Sequence, residues 1–267
     1  SRKRSFRTNS NDCRYGARIC LFIFGSFIGS FLGVVGLRVG RKEGFVIGRS
    51  HCDHCLTPLP FYDMIPIFSY LHLKGKCRYC KKKISPVLFL SEVGTGILFM
   101  VSFYSFSFSY SFLLSILLAS LFMIVLVSDF TYLIIDDKVL LFFAICFFFV
   151  QILRLGMKGA LYHVASGVAL FLFMYGLLCL GNVLFHKESL GGGDVKLLFV
   201  IGLVLDPFLG ILSIFLASFM ALPVSIFLYY KNKERMIPFG PFLLLGCFIL
   251  FFMKVTSNDI FSYFMLF

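Results

Sequence analysis

An all-α polytopic membrane protein of about eight transmembrane helices, with one small extramembrane loop domain, is the fold class the sequence predicts. Three observations carry that expectation. Hydrophobic residues make up 59% of the 267 and charged residues 14%, and mean hydropathy is +0.93, a balance far from that of a water-soluble domain. Apolar runs recur at lengths near the roughly 20 residues needed to cross about 30 Å of hydrocarbon. One stretch, 38 to 86, breaks the pattern: it holds Pro58, Pro60, Pro66 and Pro86 together with ten of the 25 Lys and Arg residues.

Residues 1–18 form a basic tail (Arg2, Lys3, Arg4, Arg7, Arg14, Arg18) without apolar periodicity, and disorder is expected there. The first span, 19–37, lacks a small-residue cleavage site and reads as a helix that stays in the membrane, not as a signal peptide. Its Gly25, Gly29 and Gly33 recur every four residues, which stacks small residues on one face for packing against another helix. This span and the loop to residue 86 make one domain, 19–86, and residues 87–267 make a second. In the second, spans are expected at roughly 87–107, 109–128, 138–154, 160–184, 195–206, 208–230 and 240–254. The run 195–206 is short unless its helix starts within the glycine-rich turn before it. With 37 Phe and no Trp, any interfacial aromatic belt rests on the 12 Tyr. No internal repeat is evident.

The net charge of +12 is explained by topology. Placing the loops 38–86, 129–137, 185–194 and 231–239 in the cytoplasm collects ten cations in the first, plus Lys138, Lys187, Lys196, Lys231, Lys233 and Arg235 in or beside the others. The opposite face keeps Arg154, Lys158 and Lys254 if the tail is set aside, as the positive-inside rule requires. The implied partner is the lipid bilayer of the inner, cytoplasmic membrane, and no nucleic acid is needed to account for the charge.

Cys52-Asp53-His54-Cys55 and Cys77-Arg78-Tyr79-Cys80 are C-x2-C knuckles with 21 residues between them, close to the spacing of four-thiolate zinc ribbons. Such a site supplies the folding free energy that a loop of this size lacks. With four protein ligands, Cys52, Cys55, Cys77 and Cys80, no coordination position stays open, so Zn²⁺ there is structural. Disulfides are disfavoured on a reducing side, a redox dithiol needs only one knuckle, and His51 or His54 could replace one thiolate. The other cysteines, 13, 20, 146, 179 and 247, are scattered singly and read as small apolar residues.

Two acids stand at the ends of apolar runs: Asp129, and Asp194 behind Gly191, Gly192 and Gly193. An ionised carboxylate at membrane depth is costly and marks a functional site by default. Taken singly, Asp194 could be an N-cap and Asp129 a helix-end polar residue. Together on one predicted side, they read as a pair sharing a proton, able to activate water for attack on a peptide carbonyl. The glycines suit a place where backbone bends or approaches substrate closely. Asp136 and Asp137 read as interfacial caps, Asp206 as an outer turn, and Glu92 as an acid that pairs with a basic group or lines the site.

These motifs occur in an order that resembles the bifunctional type IV prepilin peptidases, leader peptidase and N-methyltransferase in one chain. The resemblance runs from about Gly25 to the end. It rests on Gly25 to Leu32, both knuckles, Asp63-Met64-Ile65-Pro66, Gly75 to Arg78, Ile84-Ser85-Pro86, the acids, Gly191 to Lys196 and Ile237 to Pro241. It implies that Asp129 and Asp194 are the dyad of a GxGD-type membrane aspartyl protease, with Asp137 matching the later acid of the first motif. It implies a prepilin or pseudopilin substrate whose short basic leader is cut at the cytoplasmic face. The new N-terminus is then methylated, with S-adenosylmethionine as donor, although no glycine-rich nucleotide fingerprint is present. Gly33, Asp136 and the run Val87 to Val93 depart from the family's usual residues. Two readings from other classes are a proton- or ion-coupled transporter using the acids and a noncatalytic scaffold whose zinc loop docks a partner.

Overall fold

The structure, a computed structural model, describes residues 2–41, 52, 54–185, 191–231 and 238–254. It divides into two compact units, Ser1–Phe108 and Ser109–Phe267. Among the described residues it is helical, with no strand and a single antiparallel bridge between Lys76 and Lys83. His51, weighed as a substitute ligand, and the loop cations Lys187, Lys233 and Arg235 lie outside the described residues.

The first unit holds α1 (Arg2–Arg41), a 3-10 turn (Phe61–Met64), α2 (Phe68–His72) and α3 (Pro86–Phe106). Ser85 and Pro86 start α3 in the ordinary way, the serine oxygen accepting from the Val87 N–H at 3.4 Å. The glycine face of α1 packs on α3 as its spacing predicts. A Cβ at Gly25 would meet Gly96, one at Gly29 would stand 2.6 Å from the Ser91 carbonyl oxygen, and one at Gly33 would meet Ser91 and Leu88. Partner numbers fall as α1 numbers rise, so the two helices are antiparallel. α3 therefore packs with α1 within the first unit, which runs to Phe108.

The basic stretch expected to be disordered is helical from Arg2 onward. Once the apolar part of α1 has nucleated a helix, each further residue adds a hydrogen bond at little cost and needs no apolar face of its own. The guanidinium of Arg18 lies over the Tyr104 ring at 4.9 Å, tying this end of α1 to the last turn of α3.

In the second unit, α5 (Asp137–Phe185), α7 (Pro207–Lys231) and α8 (Gly240–Met253) pack on the short α6 (Gly192–Gly202), and α4 (Tyr110–Tyr132) packs on α5 and α8. Apolar residues surround α6 on all sides, so it can only be buried: Leu197, Leu198 and Ile201 are fully enclosed. Its last carbonyls need partners inside the protein. Gln151 Nε2 donates to the Leu203 oxygen and Ser166 Oγ to the Leu205 oxygen, both at 2.9 Å.

Among the described residues, five helices are long and apolar enough to cross a membrane. One of them, α5, breaks at Gly156 (φ 74°, ψ 179°), in the interval between the spans expected at 138–154 and 160–184. α6 has 11 residues and α8 has 14. At about 1.5 Å per residue both are shorter than the hydrocarbon layer, so the expected count of eight crossings is not reproduced by length. The helix of α6 does begin inside the glycine turn.

A Leu at position 29 must push into helix backbone. Gly29→Leu is expected to lower the unfolding free energy of the reconstituted protein by about 1–3 kcal/mol. Denaturant titration in detergent measures it, and an unchanged midpoint would contradict the α1–α3 packing.

Candidate active site

Both acids lie in the second unit. Asp129 sits in the last turn of α4 and is 6% exposed; Asp194 sits in the first turn of α6 and is 8% exposed. α4 ends immediately afterwards because Leu133 turns into the left-handed region (φ 56°, ψ 39°), its N–H bonding back to the Asp129 carbonyl at 3.0 Å. The two carboxylates stand close enough for the charge of Asp129 to act on Asp194. Asp129 Oδ2 is buried without a hydrogen-bond partner.

Asp194 is not the N-cap. Gly191 holds that position with extended backbone, and no side chain caps the helix. The Asp194 N–H reaches the Gly191 carbonyl at 3.1 Å, which leaves the carboxylate free of a capping role. It still gains from the positive end of the α6 dipole.

The three glycines act through space, not through bending, since none adopts a left-handed conformation. A Cβ at Gly193 would come within 3.0 Å of the Ile135 side chain, whereas one at Gly192 would meet nothing. A fourth glycine matters as much. A Cβ at Gly240, the first residue of α8, would stand 3.1 Å from Asp129 Oδ2 and 2.9 Å from Ile135 Cδ1. Ile135 thus wedges between the two glycines beside Asp129. Position 240 was legible only as part of the Pro238-Phe239-Gly240-Pro241 run; nothing local pointed it at Asp129.

Asp136 caps α5, its Oδ1 accepting from the N–H groups of Lys138 and Val139 at 2.7 and 3.2 Å. Asp137 is not a cap. It takes the Lys196 ammonium through both oxygens, at 2.8 and 2.7 Å, and links the start of α5 to the first turn of α6. Being exposed on both sides, this pair adds little stability but fixes how α6 enters beside α5. Glu92 lies in the first unit, and among the described residues it pairs with no basic group. Ser30 Oγ and the Ile67 N–H donate to its two oxygens, each at 2.7 Å, and these two donors satisfy a carboxylate without a cation.

The four knuckle cysteines of the first unit converge, all Sγ atoms lying within 4.8 Å of one another. Cys52 and Cys80, and Cys55 and Cys77, are 3.9 Å apart. A tetrahedron with metal–sulfur bonds of about 2.3 Å has edges of about 3.8 Å, so the cluster could hold a metal ion. His54 is not one of its members. The Thr57 hydroxyl, 3.3 Å from Sγ, brings the Cys55 thiol down to about 6. Backbone N–H of Cys80 lowers Cys77. Against a lowering contact from the Lys82 backbone, Cys80 is driven up to about 11 by burial and the other sulfurs. Four thiols this close cannot all ionise without a cation among them. Around the cluster, Arg78 grips Asp63 in a fork (Nη2–Oδ1 2.6 Å, Nε–Oδ2 2.9 Å) that locks the loop. Of the single cysteines in the described residues, Cys247 is buried, whereas Cys20 and Cys179 are exposed.

Apolar helices packed around two buried acids in one unit, and a loop built on four thiols in the other, define a polytopic membrane enzyme. Residues 23–106 match the model of the bacterial peptidase A24 N-terminal domain, and residues 116–226 that of the type IV leader peptidase family. The interval between them contains the boundary between the two units. The chain is 34% identical over 194 residues to the prepilin leader peptidase/N-methyltransferase of Bacillus subtilis, covering 69% of this chain and 72% of that one. It is 30% identical to the protein of that name from Xanthomonas campestris, over 88% of this chain and 90% of the other. It is 29% identical to the Vibrio cholerae one, over 88% and 96%. The chain belongs to the type IV leader peptidase family. No solved structure matches it. Neither the transporter nor the scaffold reading finds support in these comparisons.

Gly240→Ala is expected to displace the Asp129 carboxylate and lower kcat for peptide cleavage by about 10–100-fold with the fold retained. Kinetics together with a thermal melt separate the two effects. Full activity would show that Asp129 tolerates movement there.

Proposed function

We propose that the chain is an aspartic endopeptidase of the inner, cytoplasmic membrane that removes the short basic leader of prepilins or pseudopilins at the cytoplasmic face. The observation that carries this reading is the meeting of Asp129 and Asp194, both buried, at one end of the second unit. Two adjacent carboxylates out of water hold one proton between them. The ionised member takes a proton from a water molecule as it attacks the scissile carbonyl. The protonated member gives its proton to the carbonyl oxygen; as the C–N bond of the resulting diol breaks, the member that took the water's proton delivers it to the departing amine, and the other recovers a proton from a diol hydroxyl. Gly191 and Gly192 leave room for an extended substrate backbone at the mouth of the pair, while the space at Gly193 is filled by Ile135. A prepilin-type substrate, with an apolar helix behind a basic leader, would enter from the bilayer and keep its leader on the cation-rich side.

The cysteine cluster is proposed to hold Zn²⁺ through Cys52, Cys55, Cys77 and Cys80. The sulfur–sulfur distances support it, and a complete thiolate set makes the ion structural. The relatives' names include N-methyltransferase, which supports methylation of the new N-terminus with S-adenosylmethionine. The glycines of α1 are filled by α3 and offer no cradle for that cofactor.

Asp129→Asn and Asp194→Asn should each lower cleavage of a prepilin-like substrate by about 10²–10⁴-fold, the span of a general acid–base group, at unchanged protein level. Mass spectrometry of the product reads it, and also reads whether one methyl group has been added. Activity near wild type in either variant overturns the dyad. Metal analysis of purified protein should find one zinc per chain, lost in Cys77→Ser; zinc retained at full occupancy there rejects the site.

A further inference from the structure

Because α1 and α3 are antiparallel, the connection between them leaves and re-enters the first unit at one end. It does not simply project from that end. The Ile67 N–H donates to Glu92 Oε2 at 2.7 Å, and Ser30 of α1 holds Oε1 at 2.7 Å. Glu92 follows Pro86 by six residues, about 9 Å along the axis of a helix apolar enough to cross a bilayer. The Tyr70 ring stacks on Phe89, in the first turn of α3, with centroids 4.8 Å apart. The segment from Phe61 to His72 is therefore folded back beside the opening turns of a membrane helix. Ile67 takes φ 63°, ψ −53° to do this, a strained conformation for a β-branched residue, which its charge-assisted bond to Glu92 offsets.

What the folded-back segment presents is apolar. Phe61 is 84% exposed, Phe68 66%, Leu71 60% and Ile65 43%, far more than a loop in water ordinarily leaves uncovered. The charges beside it are of one sign. Lys74, Lys76, Lys81, Lys82 and Lys83 are all exposed. The one acid among described residues 54–85, Asp63, has a side chain only 3% exposed and is held by Arg78. Exposed rings bordered by cations at the depth of a helix end match the headgroup layer of an anionic bilayer, where apolar side chains reach the acyl boundary and lysines meet phosphates.

We propose that Phe61–His72 is an interfacial membrane element, with Phe61, Phe68 and Leu71 in the lipid and the lysines on anionic headgroups. Glu92 sets its depth by holding the Ile67 N–H. The cysteine cluster is thereby held against the bilayer surface. Nothing in this depends on the peptidase chemistry.

This sequence contains no Trp, so Phe61→Trp or Phe68→Trp places a single tryptophan reporter in it, excited apart from the tyrosines. In nanodiscs of phosphatidylcholine and phosphatidylglycerol, each variant should emit at short wavelength. It should lose most of its emission to lipids brominated near the top of the acyl chain and resist aqueous iodide. The loss should shrink when phosphatidylglycerol is omitted, and an equal loss in both bilayers would overturn the role of the lysines. Emission quenched by iodide alone would place the segment in water and overturn the proposal. Emission shielded from both quenchers would mean that protein, such as a substrate helix, covers the surface, and would overturn it equally.

Discussion

Two carboxylates withdrawn from water within one helical unit constrain everything packed around them. A lone buried acid must find a partner or a proton, and in the proposed pair each acid serves the other. That requires two helix ends to meet: α4 has to stop just past Asp129, which the left-handed Leu133 achieves, and α6 has to start just before Asp194. The short α6 can begin there because its far end is held by Gln151 and Ser166. Its near end is tied to α5 through Lys196 and Asp137. Gly193 and Gly240 leave the space that Ile135 and Asp129 occupy. Changing any of these contacts moves one carboxylate relative to the other.

The parts of this arrangement that were legible in the sequence are those with a local signature. Apolar runs placed most helices, since hydrophobicity at membrane length has few other meanings. The two knuckles announced four converging thiols through their spacing, and the glycine repeat of α1 announced a close helix neighbour. The acids stood out because ionisable residues in apolar runs are expensive. What stayed hidden is what depends on contacts between distant residues. Asp137 reads locally as a cap until Lys196, 59 residues later, is placed beside it. Gly240 reads only as part of the run Ile237 to Pro241 until α8 is packed on α4. α3 reads as the start of the second domain until the glycines of α1 are seen against Ser91 and Thr95. The basic tail reads as disordered because composition carries no information about a helix propagating from its neighbour.

The cysteine loop obeys a different economy. It has almost no apolar core of its own, and it relies on a metal-ready cluster, one enclosed Arg78–Asp63 fork and an anchor on Glu92. Small units below the size of a self-sufficient core are commonly held by such local ties. Here the ties also leave aromatic residues facing outward next to a membrane helix, the feature on which the proposed lipid contact of the loop rests.

The central claim is that Asp129 and Asp194 work as one proton-sharing pair. The measurement that tests it most directly is the pH dependence of kcat/KM for leader cleavage by the reconstituted enzyme. A pair in which one member must be ionised and the other protonated gives a bell with two limbs, whose apparent pKa values belong to the pair. A profile with a single limb, activity rising or falling through one ionisation and then constant, would contradict the account.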